Sequence, residues 1–318
     1  QSPRQTVPGR QALKRSPPHP PRGQGFLQSS FLQSDASVKK ISAHISKKVS
    51  DKLEEMFKND REDFEKKWED IKIFIQYGSI TDEKFWDRAK SFFLLKNVEG
   101  KYFTLDEYKT YIETLQKDKN ETLVYLYAAD AEKQHIYIQS AQERGYDVLL
   151  MDSILDAHFI NMLEQKLEKS KFARVDADVI DKLIEKEDSL ISKLSEEERK
   201  NLSEIFENSV EKEKFTVVVE SLNDTDLPVM IMQNEFMRRF QDMERLSGQN
   251  GMYGRFEHYN LVVNDNNEVI VNLLKEEDAE KKSQMTEQLV DLALLSQNML
   301  TGEKLSQFVR RSLDFIVK

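Results

Sequence analysis

The sequence predicts a helix-rich α+β protein built as a helical segment, a small parallel α/β layer and a mixed α+β domain ending in a helical hairpin. Three observations carry this. Apolar residues recur at helical spacing through Val38, Ile41, Ile45, Val49, Leu53 and Phe57, and again through Phe64, Trp68, Ile71 and Ile75. Short apolar runs then alternate with helical stretches between residues 122 and 176. Two amphipathic helices close the chain.

In the helical segment, residues 36–58 and 61–77 each form a helix, and Gly78 is placed as the residue that ends the second. Thr81 with Glu83 and Lys84 opens a helix running through Phe92, Phe93, Leu94 and Leu95, and Leu105 to Leu115 adds a short one. The period then changes. Thr122–Ala128, Asp147–Met151 and Ala173–Val175 read as strands, with helices over Ala131–Arg144 and Ile154–Leu167 between them. Strand, helix, strand, helix, strand with short loops argues a parallel layer with right-handed crossovers. Glu185–Glu213 is charge-rich and helical, Phe215–Val219 a strand, Met237–Leu246 a helix and Arg255–Tyr259 a strand. Asp265 and Glu268 have the spacing of a capping box before a helix from Glu268 to Leu274. The closing helices fall at about 278–298 and 303–317, joined at Thr301 and Gly302.

The first 28 residues stand apart. Six of the seven prolines lie there with Arg4, Arg10, Lys14, Arg15 and Arg22, and the first acidic residue is Asp35. Such a segment buries too little apolar surface to offset its ordering entropy, so disorder is expected. It reads either as a basic proline-rich docking tail or as sequence foreign to the rest.

Composition excludes several functions. The 318 residues carry 33% charged side chains and a net charge of −10, which argues against nucleic-acid binding. With no cysteine, the chain has no disulfide, thiolate metal site or cysteine nucleophile. No apolar run approaches the roughly 18 residues of a membrane span. His19, His44, His135, His158 and His258 are scattered, and none pairs at metal-ligand spacing, so no metal is expected. The turn after the first strand, Ala128-Ala129-Asp130-Ala131-Glu132, has no glycine and two carboxylates, so it repels phosphate. Gly248–Gly254 follows a helix and precedes a strand, the wrong order for a dinucleotide loop. Carboxylate pairs abound, as expected of solvated helix faces among 57 acidic residues.

Apolar surface is the stronger signal. Val229–Met232, with Phe236, Met237, Phe240 and Met243, makes a methionine-rich stripe, whose flexible side chains suit varied apolar partners. The same stripe also fits ordinary core packing. On the last helix Leu305, Phe308, Val309, Leu313 and Ile316 share a face, and the preceding helix carries Leu289, Leu292, Leu295 and Met299. Two antiparallel terminal helices cannot bury both faces alone, so either they dock on their own body or a second copy closes a four-helix bundle.

From Phe31 the chain resembles the heat-shock protein 90 chaperone family, most closely its bacterial type. The resemblance rests on the run Phe31-Leu32-Gln33-Ser34-Asp35-Ala36-Ser37-Val38-Lys39-Lys40-Ile41 and continues collinearly to Lys318. It implies the end of a middle domain (helical 29–118, small α/β 119–184) and a C-terminal dimerisation domain (185–318). It implies an ATP-driven chaperone whose ATP and magnesium site lies on an upstream domain, so that this chain alone holds no cofactor and is not an enzyme. It also favours the homodimer and makes unfolded clients the partners. Residues 236–243 match the family's amphipathic client helix, with Met237 and Phe240 in its apolar columns. A second client patch has the pattern Asp-x-Trp-x-x-Asn-x-Leu; here Asp156, Asn161 and Leu163 match, His158 takes the tryptophan column and Phe159 lies beside it. Gln33 matches a nucleotide-contacting glutamine, whereas Ser29 stands in the arginine column. Loss of resemblance before Ser29 suggests a frame error or a truncated gene. The chain shows neither the Glu-Glu-Val-Asp nor the Lys-Asp-Glu-Leu ending of other family branches, which points to a bacterial cytoplasm. A non-chaperone dimeric scaffold is the competing expectation.

Overall fold

The computed structural model describes residues 36–187, 190–233, 239 and 258–317. Residues 1–28, Ser29, Gln33 and the segment holding Phe236, Met237, Phe240 and Met243 lie outside these. The chain divides into two compact units, residues 1–49 and 50–318.

Helix α1 (Ala36–Asn59) supplies the described part of the first unit. Its stripe Val38, Ile41, Ile45 and Val49 is exposed.

The second unit begins with the end of α1, α2 (Arg61–Thr81) and α3 (Glu83–Ala89). Phe64, Trp68 and Ile75 are buried at the spacing the sequence announces. Gly78 does not end α2, which runs on to Thr81. A Cβ there would sit 2.9 Å from two ring carbons of Phe85, so glycine permits the close crossing of α2 and α3. Asp82 caps α3 by accepting from the amides of Lys84 and Phe85. The helix expected to reach Leu95 stops at Ala89. Leu94–Lys96 is instead strand β1, paired antiparallel with β2 (Tyr102–Thr104). Tertiary packing decides here: Phe92, Phe93, Leu94 and Leu95 are all buried in succession, which one helix face cannot achieve.

Helix α4 (Leu105–Ile112) starts at a capping box formed by Thr104 and Glu107. Arg61 reaches Glu107 across the fold, its Nη2 donating at 2.8 Å to Oε2. The hydrogen bond from Arg61 holds the Glu107 carboxyl at about 2, below its ordinary 4.5. A carboxyl depressed on folding stabilises above its unfolded pKa and loses that contribution as pH falls through the folded value. Glu107→Gln should therefore cost stability at pH 6 and flatten its dependence between pH 4.5 and 2, as read by urea unfolding. Both partners are more than one-third exposed, so the cost should be about 1 kcal/mol or less.

The α/β layer is β3 (Leu123–Ala128), α5 (His135–Glu143), β4 (Leu149–Leu150), α6 (Asp156–Lys166) and β5 (Ser170–Arg174). The strands lie in the order β4-β3-β5 and pair in parallel, the parallel pairing being what the sequence pattern anticipates. Every residue of β3 is buried, which explains its continuous apolar run.

After the short α7 (Ile180–Leu183) come α8 (Glu196–Glu207), β6 (Phe215–Glu220), β7 (Val229–Met232) and β8 (Tyr259–Asn264). The sheet order is β6-β8-β7, with β8 parallel to β6 and antiparallel to β7. The last strand begins at Tyr259, where the sequence reading has it end. All four residues of Val229–Met232 are buried, so this half of the methionine stripe is core rather than contact surface. Met230, Met232 and Val262 share one core with Val124, Leu126 and Ile138 of the α/β layer. Arg144 adds a polar tie, donating to Asp181 at 2.9 Å and to Asp226 at 2.7 Å.

The cap of α9 (Glu268–Lys275) is Asn267, which accepts from the amide of Val269. Asp265 is fully buried instead, accepting from Ser192 and Ser221 and lying 3.0 Å from Arg199 Nε. Helices α10 (Ala279–Ser296) and α11 (Gly302–Val317) form the closing hairpin. Gly302 takes a φ of +61°, which glycine adopts without strain.

Candidate interaction surfaces

Helix α6 places the residues of the second expected patch on opposite sides. Its Asp156 turns inward, accepting from Gln76 Nε2 and, at 2.7 Å, from the amide of Ser153, with Lys72 Nζ 3.8 Å away. Burial pushes its carboxyl up, and Lys72 and those donors oppose the shift. Phe159 is fully buried, its ring centroid 4.5 Å from Phe93 and 5.9 Å from Trp86. This corrects the expectation of a surface aromatic at Phe159: three residues on from Asp156, it falls on the same core-facing side of the helix. His158 is exposed and Asn161 half-buried.

Asn161 is engaged by an arginine from far along the chain. Arg239 Nη1 donates to Asn161 Oδ1 at 3.2 Å and to Glu164 Oε2 at 2.7 Å, while Nη2 donates to Glu164 Oε1 at 3.2 Å and to the Phe172 carbonyl at 2.6 Å. Sequence reading gives no sign of this contact, because partners 75 or more positions apart leave no local pattern.

The turn between β3 and α5 is occupied by its own side chain. Gln134 Oε1 accepts from the amides of Ala129 at 2.7 Å and Asp130 at 2.9 Å. Those amides, which a phosphate cradle would use, are therefore committed. Among the described residues, no group of three or more His, Asp or Glu is placed to hold a metal, and no helix is long and apolar enough to cross a membrane. A cavity of about 220 Å³ opens between α5 and the β6-β8-β7 sheet, lined by Tyr137, Ser140, Val179, Leu222, Met230 and Met232. Its residues come from four separate stretches, so periodicity does not reveal it.

The closing hairpin sorts its apolar residues into two groups. Leu289 and Phe308 are buried, and Met299 packs against the core of Leu202, Phe206 and Leu261. Leu292 is 47% exposed, Leu295 40%, Val309 48% and Leu313 56%. Leu305 is half-buried. Ile316 lies on α11, with its side chain outside the described residues. Arg311 ties the helices together, donating to Gln288 at 2.7 Å and to Glu287 at 3.1 Å and pairing with Asp291. The hairpin is thus docked on its own body by one face and presents a second apolar face to solvent. The two readings of these helices, internal docking and an unpartnered face, apply to different residues.

The family described as Hsp90 protein matches residues 28–312. A chaperone protein htpG of Bacteroides fragilis strain YCH46 is 40% identical over 91% of this chain and 53% of its own length. The chaperone protein HtpG of Porphyromonas gingivalis strain W83 is 40% identical over 90% of this chain and 52% of its own. That of Clostridium perfringens strain 13 is 28% identical over 86% of this chain and 43% of its own. The chain spans about half the length of the Bacteroides and Porphyromonas relatives.

Proposed function

Because the chain belongs to the Hsp90 family of chaperones, we propose that it supplies the client-contact and self-association surfaces of an ATP-dependent chaperone in the cytoplasm. The observation that carries this reading is the exposed stripe of Leu292, Leu295, Val309 and Leu313 on the closing hairpin. Four large aliphatic side chains on one helical pair, beside an already docked face, match the need of a twofold four-helix bundle. Client contact is assigned to His158 and Asn161 on α6 and to the segment of Phe236, Met237, Phe240 and Met243. Nucleotide hydrolysis is assigned to parts of the family protein outside this chain, with ATP and magnesium bound there. The partners are a second copy and unfolded or partly folded proteins.

Light-scattering mass across low-micromolar dilutions, with and without residues 278–318, tests the self-association. A mass of twice 37.3 kDa that falls to the protomer value on truncation supports the proposal. A protomer mass for both removes the dimer from it.

A further inference from the structure

The cavity of about 220 Å³ lies where the α/β layer meets the β6-β8-β7 sheet, and both supply its walls. Val175 and Val179 follow β5, Leu222 follows β6, and Met230 and Met232 lie on β7; all five are buried. The Tyr137 ring completes the apolar wall, because its hydroxyl is committed elsewhere, donating to the Ile231 carbonyl at 3.2 Å and accepting from Gln297. The mouth is polar: Gln139, Glu143 and Thr225 are exposed there, and Asp226 is half-buried. Among the described residues that line the cavity two are carboxylates, and none is a lysine, arginine or histidine. Arg144 engages the Asp226 carboxylate, whereas Glu143 accepts at 3.1 Å from the neutral amide of Gln139 and, among the described residues, forms no ion pair.

We propose that this cavity binds a small arylalkyl amine, an aromatic ring on a short chain ending in an ammonium group, with the ring against Met230, Met232 and Tyr137 and the ammonium at Glu143. Size sets the ring. An apolar cavity of about 150 Å³ takes up benzene, so the larger volume here leaves room for a chain of two or three carbons. The wall favours an aromatic body, since methionine sulfur and a tyrosine ring both make favourable contacts with one. The mouth sets the charge: a carboxylate with no cation of its own attracts an ammonium and repels an acid of the same size. A ligand seated here touches both the α/β layer and the sheet, the gap that Arg144 already spans by donating to Asp181 and Asp226. It therefore stabilises their packing by mass action. The site stands apart from the chaperone reading, because none of the client-contact or hairpin residues lines it.

Isothermal titration of the full chain with 2-phenylethylamine, 2-phenylethanol and phenylacetate tests the site. The amine should bind with a dissociation constant of about 0.1–1 mM. It should bind about threefold more tightly than the alcohol, the scale of an exposed charge pair, and phenylacetate should bind most weakly. Glu143→Gln should remove the preference for the amine over the alcohol. Ile136→Trp and Val179→Phe add bulk from different walls, and each should weaken the amine by about tenfold or more. Ile136 is half-buried, so its variant carries the test if Val179→Phe does not fold. In carbon-labelled methionine spectra the methyl signals of Met230 and Met232 should shift on titration, while that of Met299 stays in place. Absence of amine binding, equal affinity for amine and alcohol, a preference that survives Glu143→Gln, or binding that leaves Met230 and Met232 unmoved overturns the proposal.

Discussion

Replacing both Val309 and Leu313 with aspartate should weaken self-association by at least about 100-fold while leaving the protomer folded. Each side chain is about half exposed, so closing a bundle over it removes roughly half its apolar area from water. Full burial of such a side chain is worth about 1.5–3 kcal/mol, and the twofold counts each position twice. Four half-burials come to roughly 3–6 kcal/mol, and 1.4 kcal/mol is a factor of ten in the dissociation constant. The four introduced carboxylates, brought together across the twofold, add repulsion. Sedimentation equilibrium reads the constant, and circular dichroism reads the protomer's fold. Leu289 and Phe308, buried against the chain's own body, would not separate the two effects.

Phe93→Ala should destabilise the second unit by about 3–5 kcal/mol, the cost of a large aromatic deleted from a packed core. Phe93 is 1% exposed and meets Trp68 at 5.1 Å, Trp86 at 6.3 Å and Phe159 at 4.5 Å between ring centroids. These rings come from α2, α3, the turn just before β1 and α6, so the lost volume cannot be refilled by one neighbour. Urea unfolding should show a lower midpoint with an unchanged slope. Phe74→Ala is the internal comparison, because Phe74 is 74% exposed and its loss should stay within about 0.5 kcal/mol.

Where an element's own residues dictate its form, the sequence announces it well. The helical stripes of α2, the unbroken apolar run of β3 and the parallel pairing of β3, β4 and β5 are all legible as patterns of period or length. Legibility ends where distant contacts decide. Phe92 to Leu95 suit helix or strand equally until the core around Trp68 and Phe159 takes all four. Asp265 has cap spacing, yet burial among Ser192, Ser221 and Arg199 claims it and leaves the cap to Asn267. Phe159 shows the same limit at the candidate site. Beside His158 in sequence it reads as an alternative surface aromatic, whereas the helix turns it fully inward. The Arg239 contact with Asn161 and Glu164 joins residues over 70 positions apart, beyond any periodicity.

One titration decides whether this chain holds unfolded proteins on surfaces of a dimer. Light scattering follows the aggregation of a heat-unfolded enzyme as the chain is added, with the Val309→Asp, Leu313→Asp variant run at equal protomer concentration. Suppression that rises with the chain and is clearly weaker for the variant is the predicted result. Aggregation unchanged by the chain at any ratio would show that it does not hold unfolded proteins.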